Sequence, residues 1–567
     1  MNFRNFCKWI GLAISLIILV ACSQTSKQGE QKNNHLIVRQ TEYGLVKGST
    51  TNGILTWKGV PYGGDTSGAN RWKAPSNPKK WKGELDASKS GQVALQSSTD
   101  GVIGSENALN LDIYRPNSNK KKLPVLVYIH GGNNQTGKSE ELSGASFVKN
   151  HDAIFVSVNY RLGVLGFNPL PALKTGSDEE NSGNYTLLDI AKSLDWIREN
   201  IENFGGDSKN VTVSGFSAGG RDVMAMLISP IFKGKFDKAI SFSGGMTLAD
   251  ESKSQDVFAT ALAPLVVEDG KKGSVEEAKA WLLTRDNEVK DYLYHLDAKR
   301  LAPLMGNASI RMSVFPHLYP DGVVLPKEGF DTKNYNNVPL LMLTGQDEFS
   351  LFGYFDKYFA KAQENKTMTQ EPAASDYAFI NKYGGQLYSL FNVQESAEKM
   401  IANYKSPIYA GEVQFGHDPA VVGSPMSTFG SYHGVFVPLF DQDNQNYKAL
   451  VGDAYKSNGA KKLSTIFQDY IYHFISNGNP NGKNLPEWKT WSAAGDETTL
   501  YLDATKKDDN IKMGKKEFTY ADVLDAIEKD TSVPTDRKQV LISQVLNGRW
   551  FSHGLDEKYN NLSEFDK

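Results

Sequence analysis

Cysteine is almost missing from this chain of 567 residues: Cys7 and Cys22 are the two present, both near the N-terminus. The body of the protein therefore has no thiol for a disulfide framework, a thiolate nucleophile or a cysteine-based metal site. The nine histidines show no His-x-x-x-His or His-Glu-x-x-His spacing. Without such a ligand pattern no metal is expected, and no other cofactor either. A long basic tract is also missing. Lys and Arg number 62 against 65 Asp and Glu, for a net charge of -3. Nucleic-acid binding rests on a positive stripe that neutralises phosphates, so no nucleic-acid partner is expected. Lys120-Lys121-Lys122 reads as a solvated loop.

Long apolar runs are scarce too. The longest, Trp9 to Ala21, follows Arg4 and Lys8 and is too short to cross a bilayer comfortably. That is the layout of a signal peptide. It ends in Leu19-Val20-Ala21-Cys22, which resembles the bacterial lipobox, and polar residues follow from Ser23 to Asn34. The expected organisation is a signal peptide over 1–21, a lipidated polar tether over 22–35 attached at Cys22, and a single domain over 36–567. The implied location is a bacterial cell envelope, with the membrane reached through the lipid. Ser23 in place of aspartate resembles outer-membrane sorting in a cell with two membranes. An uncleaved anchor or an ordinary secreted protein are the alternatives. Hydrophobic residues make up 40% of the chain, and a domain this large builds its core without disulfides.

What is present along the body is an alternation of strands and helices. Leu36-Ile-Val and Gly44-Leu-Val read as early strands, with a strong turn at Asn52-Gly53. Leu123 to Ile129 and Ala153 to Val158 are short, wholly apolar runs of the kind buried on both faces of a sheet. Leu187, Leu188, Ile190, Leu194, Ile197, Ile201 and Phe204 share one helical face. A turn at Gly205-Gly206-Asp207 follows, then a strand at Val211-Thr-Val-Ser, a helix over Ala218–Leu227 and a further strand over Phe236–Phe242. Pro339 to Thr344 is a further core strand, and regions 250–300, 350–406 and 441–477 read as helical. The rhythm predicts an α/β fold: a large, mostly parallel central sheet with helices on both faces and helical insertions.

Gly215-Phe216-Ser217-Ala218-Gly219 fits G-x-S-x-G between a strand and a helix. Such a turn holds its serine in a strained backbone conformation, and Gly215 and Gly219 remove side chains that would collide there. The helix N-terminus favours negative charge developing at Ser217. A glycine-rich turn used only for close packing is the plain alternative. Upstream, His130-Gly131-Gly132-Asn133 follows a buried strand and is similar to the oxyanion loop of esterases. The amides of Gly132, Asn133 and Ala218 are its candidate donors.

With these motifs on the page, the chain resembles the type-B carboxylesterases, the family of cholinesterases and bacterial para-nitrobenzyl esterases, within the α/β-hydrolase superfamily. The resemblance runs from about Gly44 to Ser492. It rests on Phe204-Gly205-Gly206 with Val211 to Gly219, on Glu106 to Pro116, and on Asn159 to Phe167. Arg71-Trp-Lys-Ala-Pro, Asp321-Gly322 and Gly478-Asn-Pro-Asn add to it. It implies Glu348, in Gly345-Gln-Asp-Glu-Phe, as the catalytic acid, with Asp347 as the alternative. It implies His433, in Tyr432-His-Gly-Val-Phe, as the base; spacing alone does not choose between His433 and His417. His130 belongs to the oxyanion loop, while His151, His295, His317, His473 and His553 carry no motif.

Several positions depart from the family pattern. Phe216 stands where glutamate is frequent, Asn133 where the loop usually has glycine, and Arg221-Asp222 where small residues are common. Thr186, Ile190 and Ala108 replace a glycine, a glutamine and a disulfide cysteine. The implied activity is serine-dependent hydrolysis of a small to medium carboxylic ester through an acyl-enzyme. A binding or scaffold protein on the same fold, or a hydrolase of amides, thioesters or lactones, are the alternatives. No obligate protein partner is expected. A histidine base predicts activity that falls at acid pH.

Overall fold

The computed structural model describes residues 36–561 except 307 and 443. The expected signal segment and Cys22 lie outside the described residues. Among the described residues no helix is long and apolar enough to cross a membrane.

Eleven strands form the main sheet. In chain order they are β1 (Ser49–Thr51), β2 (Ile54–Pro61), β3 (Asn110–Pro116), β4 (Leu123–Ile129), β5 (Ile154–Val158) and β6 (Gly206–Phe216). They continue with β7 (Lys238–Phe242), β8 (Leu340–Gly345), β9 (Ile408–Val413), β10 (Thr499–Ala504) and β11 (Asp509–Gly514). Their order across the sheet is β1-β2-β3-β5-β4-β6-β7-β8-β9-β10-β11. Pairing is parallel from β5 through β4 and β6 to β10. Antiparallel strands flank that block: β1, β2 and β3 on one side, β11 on the other. In a smaller sheet the central Gly44–Lys47 pairs with Val38–Thr41 on one side and Glu84–Asp86 on the other.

The apolar runs form strands because the sheet has a core on each side. Val125, Val127 and Ile129 of β4 face one core, and Leu126 and Tyr128 face the other. β8 alternates likewise, Leu340 and Met342 against Leu341 and Leu343. Each large apolar side chain removed from water contributes roughly 1.5–3 kcal/mol. A charge at Val127 would reverse that gain at the sheet's centre.

The first core is covered by α1 (Tyr185–Asn200), α2 (Ala218–Ile228) and α3 (Ala373–Asn392). The second is covered by α4 (Asn458–Asn477), through Leu463, Phe467, Ile471 and Phe474. Helices thus lie on both faces, as the alternation predicts. Asn52 and Gly53, with φ of 52° and 77°, make the two-residue link between β1 and β2. Positive φ at both positions suits the twist of a hairpin, which is why Asn-Gly is favoured there. The turn expected over Gly205–Asp207 is shorter than predicted. Gly205 alone is left-handed, and β6 already begins at Gly206, opposite Leu123.

Candidate active site

The parallel block brings the candidate residues together at the C-terminal ends of its strands. Loops there are free to carry polar groups, while the strands below them bury apolar side chains in the two cores. Ser217 sits between β6 and α2, at φ 57° and ψ −119°. A non-glycine residue held there stores about 1–3 kcal/mol of strain. The turn is pinned on both sides: Ser217 N–H donates to Phe242 O, and Arg221 N–H donates to Ser217 O, each at 2.9 Å. The flanking glycines are steric necessities. A Cβ at Gly215 would lie 2.1 Å from Gly219 O, and one at Gly219 would lie 2.2 Å from Ile129 O.

Glu348 follows β8 and is fully buried. Its Oε2 is 2.5 Å from His433 Nδ1. Its Oε1 accepts from Ser243 Oγ at 2.5 Å, Thr344 Oγ1 at 2.9 Å and Gly345 N–H at 2.6 Å. Asn392 of α3 in turn donates to Thr344 Oγ1 at 3.0 Å. The carboxylate is therefore fixed at both oxygens, and the imidazole with it. Three rings enclose His433: Phe216 at 4.7 Å, Phe352 at 5.1 Å and Tyr388 at 5.4 Å between centroids. Its Nε2 is buried and has no hydrogen-bond partner. No hydrogen bond joins Ser217 Oγ to that nitrogen, although Phe216, next to the serine, packs on the ring.

The alternatives separate by geometry. Asp347 lies near the other histidine, His417, with Oδ2 3.5 Å from Nδ1, and the His417 side chain is 69% exposed. The Asp347 Oδ2 also accepts Ser431 N–H at 3.0 Å. The hydrogen bond to Asp347 raises the His417 pKa.

The loop after β4 lies against the elbow: a Cβ on Gly131 would meet Ser217 Cβ at 3.2 Å. Gly132, Asn133 and Asn134 all have positive φ, at 96°, 57° and 56°. The amides of Gly132, Asn133 and Ala218 find no acceptor among the described residues. Asparagine at 133 is compatible with the left-handed backbone that the loop needs. Three side chains brace this loop. Tyr160 Oη donates to His130 O at 2.6 Å, and its ring stacks on the His130 ring at 4.3 Å. The half-buried Glu141 accepts Gly131 N–H at 3.3 Å, and desolvation raises its pKa to about 7. Asp222 of α2 accepts from Asn134 Nδ2 at 2.9 Å. Burial lowers the pKa of His130 to about 4, so its ring is neutral and structural.

Sequence reasoning did not find Ser243, Thr344, Asn392, Glu141, Tyr388 or the Asp222–Asn134 bond. Ser243 carried a usable sign: it directly follows the strand expected over Phe236–Phe242 and precedes Gly244-Gly245. The remaining quoted motifs prove to be framework. Arg71 forks onto Glu106 at 2.6 and 2.9 Å, joining two of them. Arg161 forks onto the buried Asp189 at 2.8 and 2.7 Å, and Thr186 Oγ1 donates to Arg161 O at 2.7 Å. Among the described residues no group of three or more His, Cys, Asp or Glu side chains is placed to hold a metal ion.

A parallel sheet covered on both faces, with a strained serine between its strand and helix, defines an α/β-hydrolase. The Carboxylesterase family profile matches residues 36–405. A para-nitrobenzyl esterase of Bacillus subtilis (strain 168) is 35% identical over 495 residues, 83% of this chain and 95% of that protein. Liver carboxylesterase 1 of Oryctolagus cuniculus is 28% identical over 492 residues, 77% of this chain and 84% of that protein. Among solved structures, a thermophilic PNB esterase superposes with a TM-score of 0.67 at 26% identity, over 86% of this chain and 99% of that one. The chain belongs to the carboxylesterase family and is a carboxylic ester hydrolase.

Proposed function

We propose that the protein hydrolyses small to medium carboxylic esters by two-step acyl transfer at Ser217. His433 Nε2 takes the Ser217 proton as Oγ attacks the carbonyl carbon, and Glu348 orients the imidazole and offsets its charge. The amides of Gly132, Asn133 and Ala218 receive the oxyanion, where each donor is worth about 10²–10³ in kcat. As the tetrahedral intermediate collapses, the leaving alcohol takes the proton back from Nε2. Water, deprotonated by the same nitrogen, then cleaves the acyl-serine and frees the acid.

The observation that carries this reading is the Glu348–His433 hydrogen bond. It lies on one side of an imidazole whose buried Nε2 is free of partners. The strained Ser217 turn lies next to that imidazole, through Phe216. Phe216, Phe352 and Phe436 support an apolar ester, as does the similarity to an enzyme named for para-nitrobenzyl esters. Ser217→Ala is expected to lower kcat on p-nitrophenyl butyrate by about 10⁴-fold or more while the fold persists. Unchanged turnover in the purified, folded variant would refute the assignment. The sequence supports export, lipidation at Cys22 and a tether over 22–35 ahead of one catalytic domain, with outer-membrane sorting in a cell with two membranes. Metabolic labelling with a fatty acid, lost in Cys22→Ala, tests that part.

A further inference from the structure

Directly behind the nucleophile, α2 carries two charged residues, Arg221 and Asp222, and both are fully buried. Arg221 is partnered at both terminal nitrogens, while its Nε is buried without a hydrogen-bond partner. Its guanidinium lies 4.1 Å over the Trp550 ring and donates to Thr247 O at 2.9 Å. Its Nη1 is 2.7 Å from His317 Nε2. A guanidinium only donates, so this nitrogen accepts, and the His317 proton sits on Nδ1, which donates to Phe315 O at 2.9 Å. Burial and the neighbouring Arg221 hold His317 well below the usual histidine range, and therefore neutral. Burial lowers the pKa of Arg221 to about 10, which leaves it charged at neutral pH.

Asp222 is different. It receives one hydrogen bond, from Asn134 Nδ2 to Oδ1 at 2.9 Å. Its Oδ2 is buried without a partner, and so is Asn134 Oδ1. Two orphaned acceptors thus belong to two planar forks that one hydrogen bond already joins. Leaving each unpaired carries a desolvation penalty, and a proton on the carboxyl is the one change within this pair that would offer a donor to both. The titratable groups that face Asp222 are Arg221 on its own helix and Tyr160 beyond β5. Desolvation outweighs the lowering by Asn134 and Arg221 and brings the Asp222 pKa up to about 7.

We propose that Asp222 is a positioning residue that acts as a neutral carboxylic acid. Asn134 Nδ2–H donates to its Oδ1 while its Oδ2–H donates to Asn134 Oδ1. This reciprocal pair clamps the loop bearing the Gly132 and Asn133 amides to the helix bearing Ser217. The inference rests on the oxyanion role given to those amides above. The loop needs such a clamp, because three consecutive residues hold positive φ, two of them without being glycine. Ionisation of Asp222 removes one donor and sets a negative charge behind the site where the oxyanion develops.

The test compares Asp222→Asn and Asp222→Leu in the full chain, with p-nitrophenyl butyrate, from acid to alkaline pH. Asparagine is neutral and keeps a donor and an acceptor, so Asp222→Asn should retain kcat within about threefold at acid pH. It should also lack a fall in kcat that wild type shows above neutrality. Asp222→Leu should lose about tenfold or more in kcat, with KM nearly unchanged. The stability sign is fixed by the raised folded pKa. The contribution of Asp222 is complete at acid pH and is lost as pH rises through about 7. Asp222→Asn should therefore melt above wild type at alkaline pH and level with it at acid pH. An Asn variant as impaired as the Leu variant, or one that keeps the alkaline fall, overturns the proposal. Ser217→Ala, assayed alongside, separates the readings. Full turnover there overturns the nucleophile assignment and this inference together. An inactive Ser217→Ala with a fully active Asp222→Leu overturns this inference alone.

Discussion

Two acid–histidine pairs start from neighbouring residues, Asp347 and Glu348, and end at His417 and His433. In chemical formula they are nearly the same. In the structure both acids are buried, but the histidines are opposites: His433 is 7% exposed, whereas the His417 side chain is 69% exposed. The Glu348 carboxylate has three further donors on its second oxygen, and the imidazole it holds is walled by three rings. The Asp347 carboxylate ties down the backbone at Ser431, two residues before His433. A single step along the turn after β8 thus divides the labour. One side chain points to the imidazole interior, and the other secures the segment that delivers the imidazole. Identity of residue type teaches little here; desolvation and the count of fixed donors decide which pair can do chemistry.

That contrast can be broken by substitution. The largest effect is expected from Glu348→Gln, which keeps the shape but loses the negative charge opposite His433. Its kcat should fall by about 10⁴-fold with KM little changed, measured by ester hydrolysis; a fall under tenfold would mean that the pair is not catalytic. Next comes Asp347→Ala. It leaves the buried Ser431 N–H without its acceptor, so a loss of about 1–3 kcal/mol is expected in chemical denaturation. Its kcat should change far less than that of Glu348→Gln. The smallest effect belongs to His417→Asn, with kcat within about twofold of wild type, because the histidine of this pair is exposed. The raised folded pKa of His417 means that its small contribution is complete below about pH 6.5 and is lost as pH rises through the folded value. Melting curves of wild type and His417→Asn should accordingly differ slightly at acid pH and converge at alkaline pH.

The parallel block was readable because strands buried on both faces leave uninterrupted apolar runs, as at Leu123–Ile129. The strained turn at Ser217 was readable because steric demand forces glycine at 215 and 219. The edge was not: β11, Asp-Asn-Ile-Lys-Met-Gly, is half solvated and carries residues of low strand propensity. Its neighbour β10 alternates in a way that a loop also tolerates. The choice of His433 over His417 came from resemblance, since burial leaves no mark in residue spacing. The links Ser243–Glu348 and Asn134–Asp222 span 105 and 88 positions of sequence. Contacts of that range are set by the meeting of strand ends, which no local pattern encodes.

Labelling with a fluorophosphonate, followed by peptide mass spectrometry, tests the central claim most directly. The account predicts one stoichiometric adduct on Ser217, formed slowly in Glu348→Gln and not at all in Ser217→Ala. An unlabelled Ser217 in active protein, or an adduct on another serine that accounts for the turnover, would contradict it.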